Sequence, residues 1–414
     1  MHSRIFVRRC LFAALLAGAT FAAAQVRLDA LSPPPGTRTR PAPVNPAGTA
    51  PRLGDPLPGL TPAQFAAFTD GLDEFTSVET PETGLGPIFN GASCVQCHNG
   101  PAPGGGSPVR VTRFGRLVNG VFDPLAEQGG SLLQRFAIDP LVRETIPRDA
   151  NVIADRLSTP LFGAGLIEAI PDATILANAM RRKSDGILGR AALVTDVATG
   201  TQRVGRFGWK AQQATLLAFS GDAYLNEMGI TNRFFPQENA PNGDRARLAA
   251  FDLVADIEDA VDPATGRGDI DGAADFMRLL APPARLPSTG SADAGEALFA
   301  QIGCAACHQP AMQTGPSPIA ALDRKTVALY SDLLLHDMGA LGDGIAQAAA
   351  GTREMRTAPL WGLRARTPFL HDGRATTLDA AIRAHDGEAA RVRDRYVRLV
   401  PEQQRQLRDF LGTL

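Results

Sequence analysis

The sequence predicts a mainly α fold, built as two related halves with long irregular loops and insertions. Apolar residues in its candidate elements recur at helical spacing, and strand-like alternation is scarce. Its 42 glycines and 32 prolines require much irregular backbone. One local pattern also occurs twice along the 414 residues. At about 150 residues per domain, that length suggests two or three domains. The boundaries read as a leader at 1–24, a Pro-rich flexible segment at 25–60, a first half at 61–285 and a second at 286–414.

The leader has Arg4, Arg8 and Arg9, an apolar run over residues 11–21 and Ala22-Ala23-Ala24 as a small-residue cleavage site. These are the parts of a cleaved secretory signal, which predicts a mature periplasmic protein. The apolar run is short for a retained anchor, and no later stretch approaches about 18 apolar residues, so no stable membrane anchor is expected. A formal net charge of −2 excludes the basic bias of a nucleic-acid binder. Residues 62–75 read as a helix, with Thr61 as N-cap, Pro62 at its first position and Phe65, Phe68 and Leu72 on one stripe.

Every cysteine beyond the first ten residues lies in Cys94-Val-Gln-Cys97-His98 or Cys304-Ala-Ala-Cys307-His308. This is the attachment pattern of c-type haem: two thiols form thioethers with the vinyl groups, and the adjacent imidazole binds the iron. Two covalent haems are therefore expected, with His98 and His308 as proximal ligands. Structural zinc would need further Cys or His clusters, and disulfides are the other alternative.

Aligning the halves on these motifs extends the repeat. Phe89 and Phe299 each stand five residues before the first cysteine, in apolar approaches expected to be helical, the second capped by Ser291. Arg156-Leu-Ser-Thr-Pro-Leu-Phe-Gly163 answers Arg356-Thr-Ala-Pro-Leu-Trp-Gly362, and Phe207-Gly-Trp209 with Thr215-Leu216 answers Phe369-Leu-His371 with Thr377-Leu378. Residues 168–204 and 231–275 read as insertions in the first half, the charges of the latter as solvated surface. With His2 in the leader and two histidines assigned, only His336, His371 and His385 remain as second axial histidines. His385 follows Thr377, a helix N-cap, on a face with Leu378, Ala381 and Ile382, where it is either a ligand or an ordinary hydrogen-bonded histidine.

The chain resembles the bacterial di-haem cytochrome c peroxidases and the related di-haem enzyme that matures a tryptophan-derived quinone, most of all the di-haem oxidoreductase branch. The resemblance covers residues 84–414. Its motifs are Gly-Pro-Ile-Phe-Asn-Gly-Ala-Ser-Cys94, Gly205-Arg-Phe-Gly-Trp-Lys210, Leu333-Leu-Leu-His-Asp-Met-Gly339 and Arg356-Thr-Ala-Pro-Leu-Trp-Gly-Leu363 continuing into Phe369-Leu-His-Asp-Gly-Arg374. It implies two cytochrome c-like haem domains. In that family the distal ligand of the C-terminal haem lies fourteen residues after the histidine of the His-Asp-Gly motif, and here that position is His385. A bis-histidine haem follows, with Met338 as the competing ligand. The same register puts Ala223 in the first half, which implies an open or water-bound iron there.

The resemblance also implies Trp209 as an electron bridge, its alternative being a large buried side chain. Glu227, in Asn226-Glu227-Met228, stands near the family's distal glutamate and would act as general acid/base on peroxide; Glu168 is the runner-up. His371 would orient a propionate or neighbouring backbone. Arg356 and Arg374 are placed to pair with propionates, or else with carboxylates of the chain. The family's calcium, held between domains by backbone oxygens and water, is a further possible cofactor, although residues 256–271 lack EF-hand spacing.

The function expected is that of a periplasmic di-haem c oxidoreductase. Electrons from a small cytochrome c or cupredoxin would enter at the C-terminal haem and reduce hydrogen peroxide at the N-terminal one. A di-haem oxidase or oxygenase acting on an organic or protein substrate is one alternative, and a non-catalytic electron carrier is another.

Overall fold

The computed structural model describes residues 50–414. The predicted signal segment and most of the Pro-rich segment lie outside them. The mainly α expectation is corrected: 35% of the structure is helical and 16% is strand, in several small sheets. The strand Arg110–Val118 pairs antiparallel with Val152–Leu157, and Ala192–Asp196 pairs with Thr201–Gly205. These runs carry Val, Ile and Thr, whose branched Cβ favours the pleated backbone. Burial in Ala192–Asp196 does alternate, but over five residues only, too short a window to stand out beside the helical pattern.

Two apolar cores organise the described residues. In the larger, the helix Pro62–Thr76 crosses Asp269–Leu279. Thr61 caps the first of these and Pro62 opens it, as expected. Phe276 packs on Phe68 and Phe75 at ring distances of 5.3 and 4.7 Å. At the crossing, a Cβ on Gly71 would overlap the carbonyl of Gly272. In the smaller core, Gly290–Ile302 crosses Pro401–Leu411 in the same manner: Phe299 packs on Phe410 at 5.3 Å, and Gly295 lies against the Gln406 carbonyl. Each half thus uses a glycine to bring two helices close and aromatic rings to fill the space beside it.

Other local expectations change. The cap of Gly290–Ile302 is Thr289, whose hydroxyl accepts from the Ala292 amide, and not Ser291. The approach to Cys94 is a short strand, Ile88–Phe89, paired with Phe136–Ala137, and not a helix. Ordered packing also begins before Thr61: Leu57 is buried, and its amide donates to the Leu279 carbonyl at 2.7 Å.

The stretch 231–275 is not simply solvated surface, since Glu238, Asp259 and Asp271 are buried. Asp271 is paired by Arg233 at 2.7 and 2.9 Å, and Asp259 accepts the Asp269 amide at 2.7 Å, where a carboxylate complements a helix N-terminus. Among the described residues no helix is long and apolar enough to cross a membrane.

The aligned repeat is visible as geometry. The Phe207 amide donates to Gln213 at 3.0 Å, and that of Phe369 donates to Ala375 at 2.8 Å. Thr215 and Thr377 then cap equivalent helices, Leu216–Ala223 and Leu378–Arg383. The halves also cross-link: Leu157 donates its amide to the His371 carbonyl at 2.6 Å, and Arg356 donates its own to Trp209 at 2.8 Å.

Candidate functional site

Each Cys-x-x-Cys-His run forms one tight turn. The His98 amide donates to the Cys94 carbonyl at 3.0 Å, and that of His308 donates to Cys304 at 2.9 Å. None of these four cysteines is in a disulfide. Cys94, Cys97 and His98 line one cavity, and Cys304, Cys307 and His308 line another. The proximal imidazoles are oriented through Nδ1, His98 bonding the Gly105 carbonyl at 3.1 Å and His308 that of Tyr330 at 3.0 Å. That bond places the proton on Nδ1 and leaves the Nε2 lone pair free for a metal. Burial lowers both imidazoles to about 4, so they are neutral at neutral pH, as a ligand must be.

The second cavity has about 1370 Å³ of empty space, part of it open to solvent, behind mostly apolar walls. The His385 ring faces His308 across it, with centroids 6.4 Å apart. Two metal–imidazole bonds of about 2 Å plus the ring radii span roughly that gap. His385 bonds the Ala381 carbonyl through Nδ1 at 2.9 Å, so its Nε2 is also free. It follows the C-cap of Leu378–Arg383 and so sits just beyond the helix, not on its face. Met338 lines the same cavity.

Arg356 and Arg366 line this cavity, and burial lowers both to about 10. Neither has a carboxylate partner: Arg356 donates to the carbonyls of Gly208 and Thr357, and Nη2 of Arg366 has no hydrogen-bond partner. Two buried guanidiniums without counter-ions suit a ligand bearing carboxylates, as haem does. Sequence reasoning missed Arg366, whose only signal is its place between the Arg356 and His371 motifs. Arg374 lines neither cavity and pairs with Asp372 at 2.5 Å.

His336 is claimed by carboxylates, with Nδ1 2.7 Å from Glu388 and Nε2 3.0 Å from Asp332. Burial lowers its pKa, but hydrogen bonding, above all to Asp332, outweighs that and raises it to about 11. Among the described residues Cys307, Asp332 and His336 form the one cluster of three Cys, His, Asp or Glu side chains tight enough for an ion, but His336 is occupied and protonated there. Replacing His336 with alanine leaves Asp332 with Lys183, at 2.6 Å, as its one remaining cation and leaves Glu388 without any. A loss of about 3–5 kcal/mol in urea unfolding at neutral pH is expected.

The first cavity has about 1170 Å³ of empty space, part of it open to solvent. Ala223 lines it at the position equivalent to His385, and His98 is the only histidine on its described wall. Glu227 also lines it, on the turn Tyr224–Met228, where the helix widens to π geometry. Its carboxyl is raised by burial and accepts from Asn90 Nδ2 at 3.0 Å. Asp222, unnoticed in the sequence, is a second, half-buried carboxyl here, raised by desolvation and held by Asn226 at 3.1 Å. Arg113 faces both and lowers them. Glu168, the runner-up, stands outside this cavity, binding the Leu216 amide and Arg278, each at 2.7 Å.

Trp209 forms part of both cavity walls. Its Nε1 donates to the Leu157 carbonyl at 2.7 Å, the Arg366 guanidinium lies 5.3 Å over its ring, and the His371 ring is 6.2 Å away.

Two buried cavities, each entered by a Cys-x-x-Cys-His turn with an anchored imidazole and sharing one tryptophan, define a di-haem protein. The sequence agrees: residues 141–414 match the family model described as "Di-haem oxidoreductase, putative peroxidase". The chain belongs to that family and is a di-haem oxidoreductase of the cytochrome c peroxidase-like class. The matched region begins after Cys94-Val-Gln-Cys97-His98, so the first site rests on its own residues.

No curated protein gives a significant sequence match. Similar solved structures include hydrazine synthase of Kuenenia stuttgartiensis, at 14% identity over 91% of this chain and 99% of that one, with a TM-score of 0.39. A variant of the diheme peroxidase BthA from Burkholderia thailandensis gives 16% identity over 86% of each chain and a TM-score of 0.41. A MauG-like protein associated with microbial copper homeostasis gives 17% over 66% of this chain and 92% of that one, with a TM-score of 0.31.

Proposed function

We propose that this enzyme is a periplasmic peroxidase that carries two covalent c-type haems and reduces hydrogen peroxide with electrons from a small cytochrome c or cupredoxin. The observation that supports this most is an asymmetry across a shared wall. Trp209 touches both cavities, yet His385 faces one of them from the position that Ala223 occupies in the other.

When bound, the haems supply one-electron storage and a coordination position for the oxidant. Cys94, Cys97 and His98 would hold the first, and Cys304, Cys307, His308 and His385 the second, with the guanidiniums of Arg356 and Arg366 available to its carboxylates. In the first cavity Glu227 accepts a proton from the inner peroxide oxygen and delivers it to the outer one, while Asn90 fixes the carboxyl. Two electrons and two protons per peroxide would yield two waters, and Trp209, which lines both cavities, would carry the electrons between the sites.

Trp209→Phe tests the pathway. Both haem spectra should be retained while peroxide-dependent oxidation of a reduced donor slows about tenfold or more, equivalent to about 1.4 kcal/mol of barrier. Unchanged turnover would remove Trp209 from the route. Two low-spin irons that ignore peroxide in every redox state would replace the peroxidase reading with an electron carrier.

A further inference from the structure

The insertion 168–204 belongs to the first half of the chain but packs on the Cys-x-x-Cys-His turn of the second. Arg181 donates to the Gln309 side chain at 3.0 Å, one residue past His308. Lys183 pairs with the buried Asp332 at 2.6 Å, and the Asp332 amide donates to the Cys307 carbonyl at 2.9 Å. The helix Ala390–Arg398 meets the other end of the turn, where Arg395 donates to the Ile302 carbonyl at 2.8 Å. An ion pair between Asp185 and Arg395 joins the two segments, so together they frame the half-buried Cys304–His308 turn.

This frame is basic. Residues 180–190 carry four basic side chains and one acidic one, and Ala390–Arg398 does the same, which gives each segment a formal charge of +3 on a chain whose total is −2. Among the described residues Arg181, Arg182, Arg391 and Arg398 are exposed and belong to no ion pair, so their charge faces solvent. Apolar side chains accompany them. Met180 is 85% exposed, more than any other large apolar side chain described, and Leu188 is 73% exposed. Burial would stabilise both, and the fold leaves them out. Exposed apolar groups among unpaired arginines have the composition of a protein-binding face, since interfaces are enriched in Met and Arg.

We propose that this frame is the docking platform of the electron donor, and that the donor is a small acidic redox protein with an apolar face around its own metal centre. Both thiols that would bond the second haem belong to the framed turn, so a partner seated there stands beside the covalently held edge of that cofactor. The unpaired arginines attract an acidic partner over a Debye length of about 8–10 Å and repel a basic one. Met180 and Leu188 supply a small apolar contact, in keeping with the small interfaces of transient redox complexes. The inference rests on the proposed use of a small donor protein and is independent of peroxide as the oxidant.

The test is calorimetric titration of the oxidised holoprotein with an acidic plastocyanin as probe, and with a basic mitochondrial-type cytochrome c as its opposite, at low and high salt. The plastocyanin should bind, more weakly as salt rises, and the basic cytochrome should not. Arg181→Glu combined with Arg182→Glu should weaken binding about tenfold or more with both haem spectra unchanged. Leu188→Ser should weaken it without altering the salt dependence. Arg143→Glu, at another exposed arginine without an ion pair, but in the first half and outside the frame, should change nothing. A plastocyanin that does not bind, a preference for the basic cytochrome, or an equal loss in Arg143→Glu would overturn the proposal. So would phosphatidylglycerol vesicles that bind wild type but not the double variant while plastocyanin binds both equally, which would make the frame a membrane-facing surface. Anaerobic reduction of the second haem by reduced plastocyanin separates this inference from the peroxidase reading. If reduction is fast in wild type and slow in the double variant while the protein ignores peroxide, the platform stands and peroxide is removed as the oxidant.

Discussion

Glu227→Gln is expected to lower kcat/KM for hydrogen peroxide by about 10²- to 10⁴-fold, the usual contribution of a positioned acid/base. Both haem spectra should stay as they are. Glutamine keeps the size of the side chain and can still meet Asn90, but it cannot exchange a proton. The pH profile supplies a second signature. Burial raises Glu227, with Arg113 and then Asn90 opposing it and Asp222 adding to the rise. The acid must ionise to accept the first proton, so wild-type kcat/KM should climb with pH through a limb above the ordinary glutamate value of about 4.3. That limb should vanish in Glu227→Gln. If it persists, Asp222, the other carboxyl lining the cavity, carries the proton instead.

His385→Ala is expected to convert the C-terminal haem from low-spin to high-spin, as read by optical and EPR spectra, while leaving the His98 haem unaltered. The ring facing His308 at 6.4 Å is the one described imidazole placed opposite it. Its loss leaves the sixth position to water or to Met338 on the same wall. Added imidazole should restore the low-spin spectrum. Replacement by methionine should raise the reduction potential of that haem, because thioether ligation favours the reduced iron. Turnover should fall about tenfold or more in His385→Ala, since a centre that changes ligand on each redox cycle pays a reorganisation barrier. A spectrum identical to wild type would rule out His385 as a ligand.

What the sequence revealed of this site depends on how far each interaction reaches along the chain. The Cys-x-x-Cys-His turns were legible because their chemistry is complete within five residues. Ala223 and His385 were legible through counting, because Thr215 and Thr377 start equivalent helices and the intervening spacing is equal. Arg366 was not, since its significance lies in lacking a carboxylate partner, which only packing reveals. Glu168 read as a candidate acid, but its partner Arg278 is 110 residues away and could not be inferred. The strands were lost for a different reason. Runs as short as Leu132–Leu133 acquire their conformation from a partner such as Arg110–Val118, not from their own composition.

The hydrogen bonds from Leu157 to His371 and from Arg356 to Trp209 have a consequence for assembly. They tie the halves together, and first-half Ile187 and Trp209 line the second cavity, so the second half is not a self-sufficient container for its cofactor. A chain cut between them would take Ile187 and Trp209 out of the wall of the second cavity, and Trp209 would be bared to water. Completion of the second cavity therefore waits on the first half, and the two halves should melt as a single cooperative body.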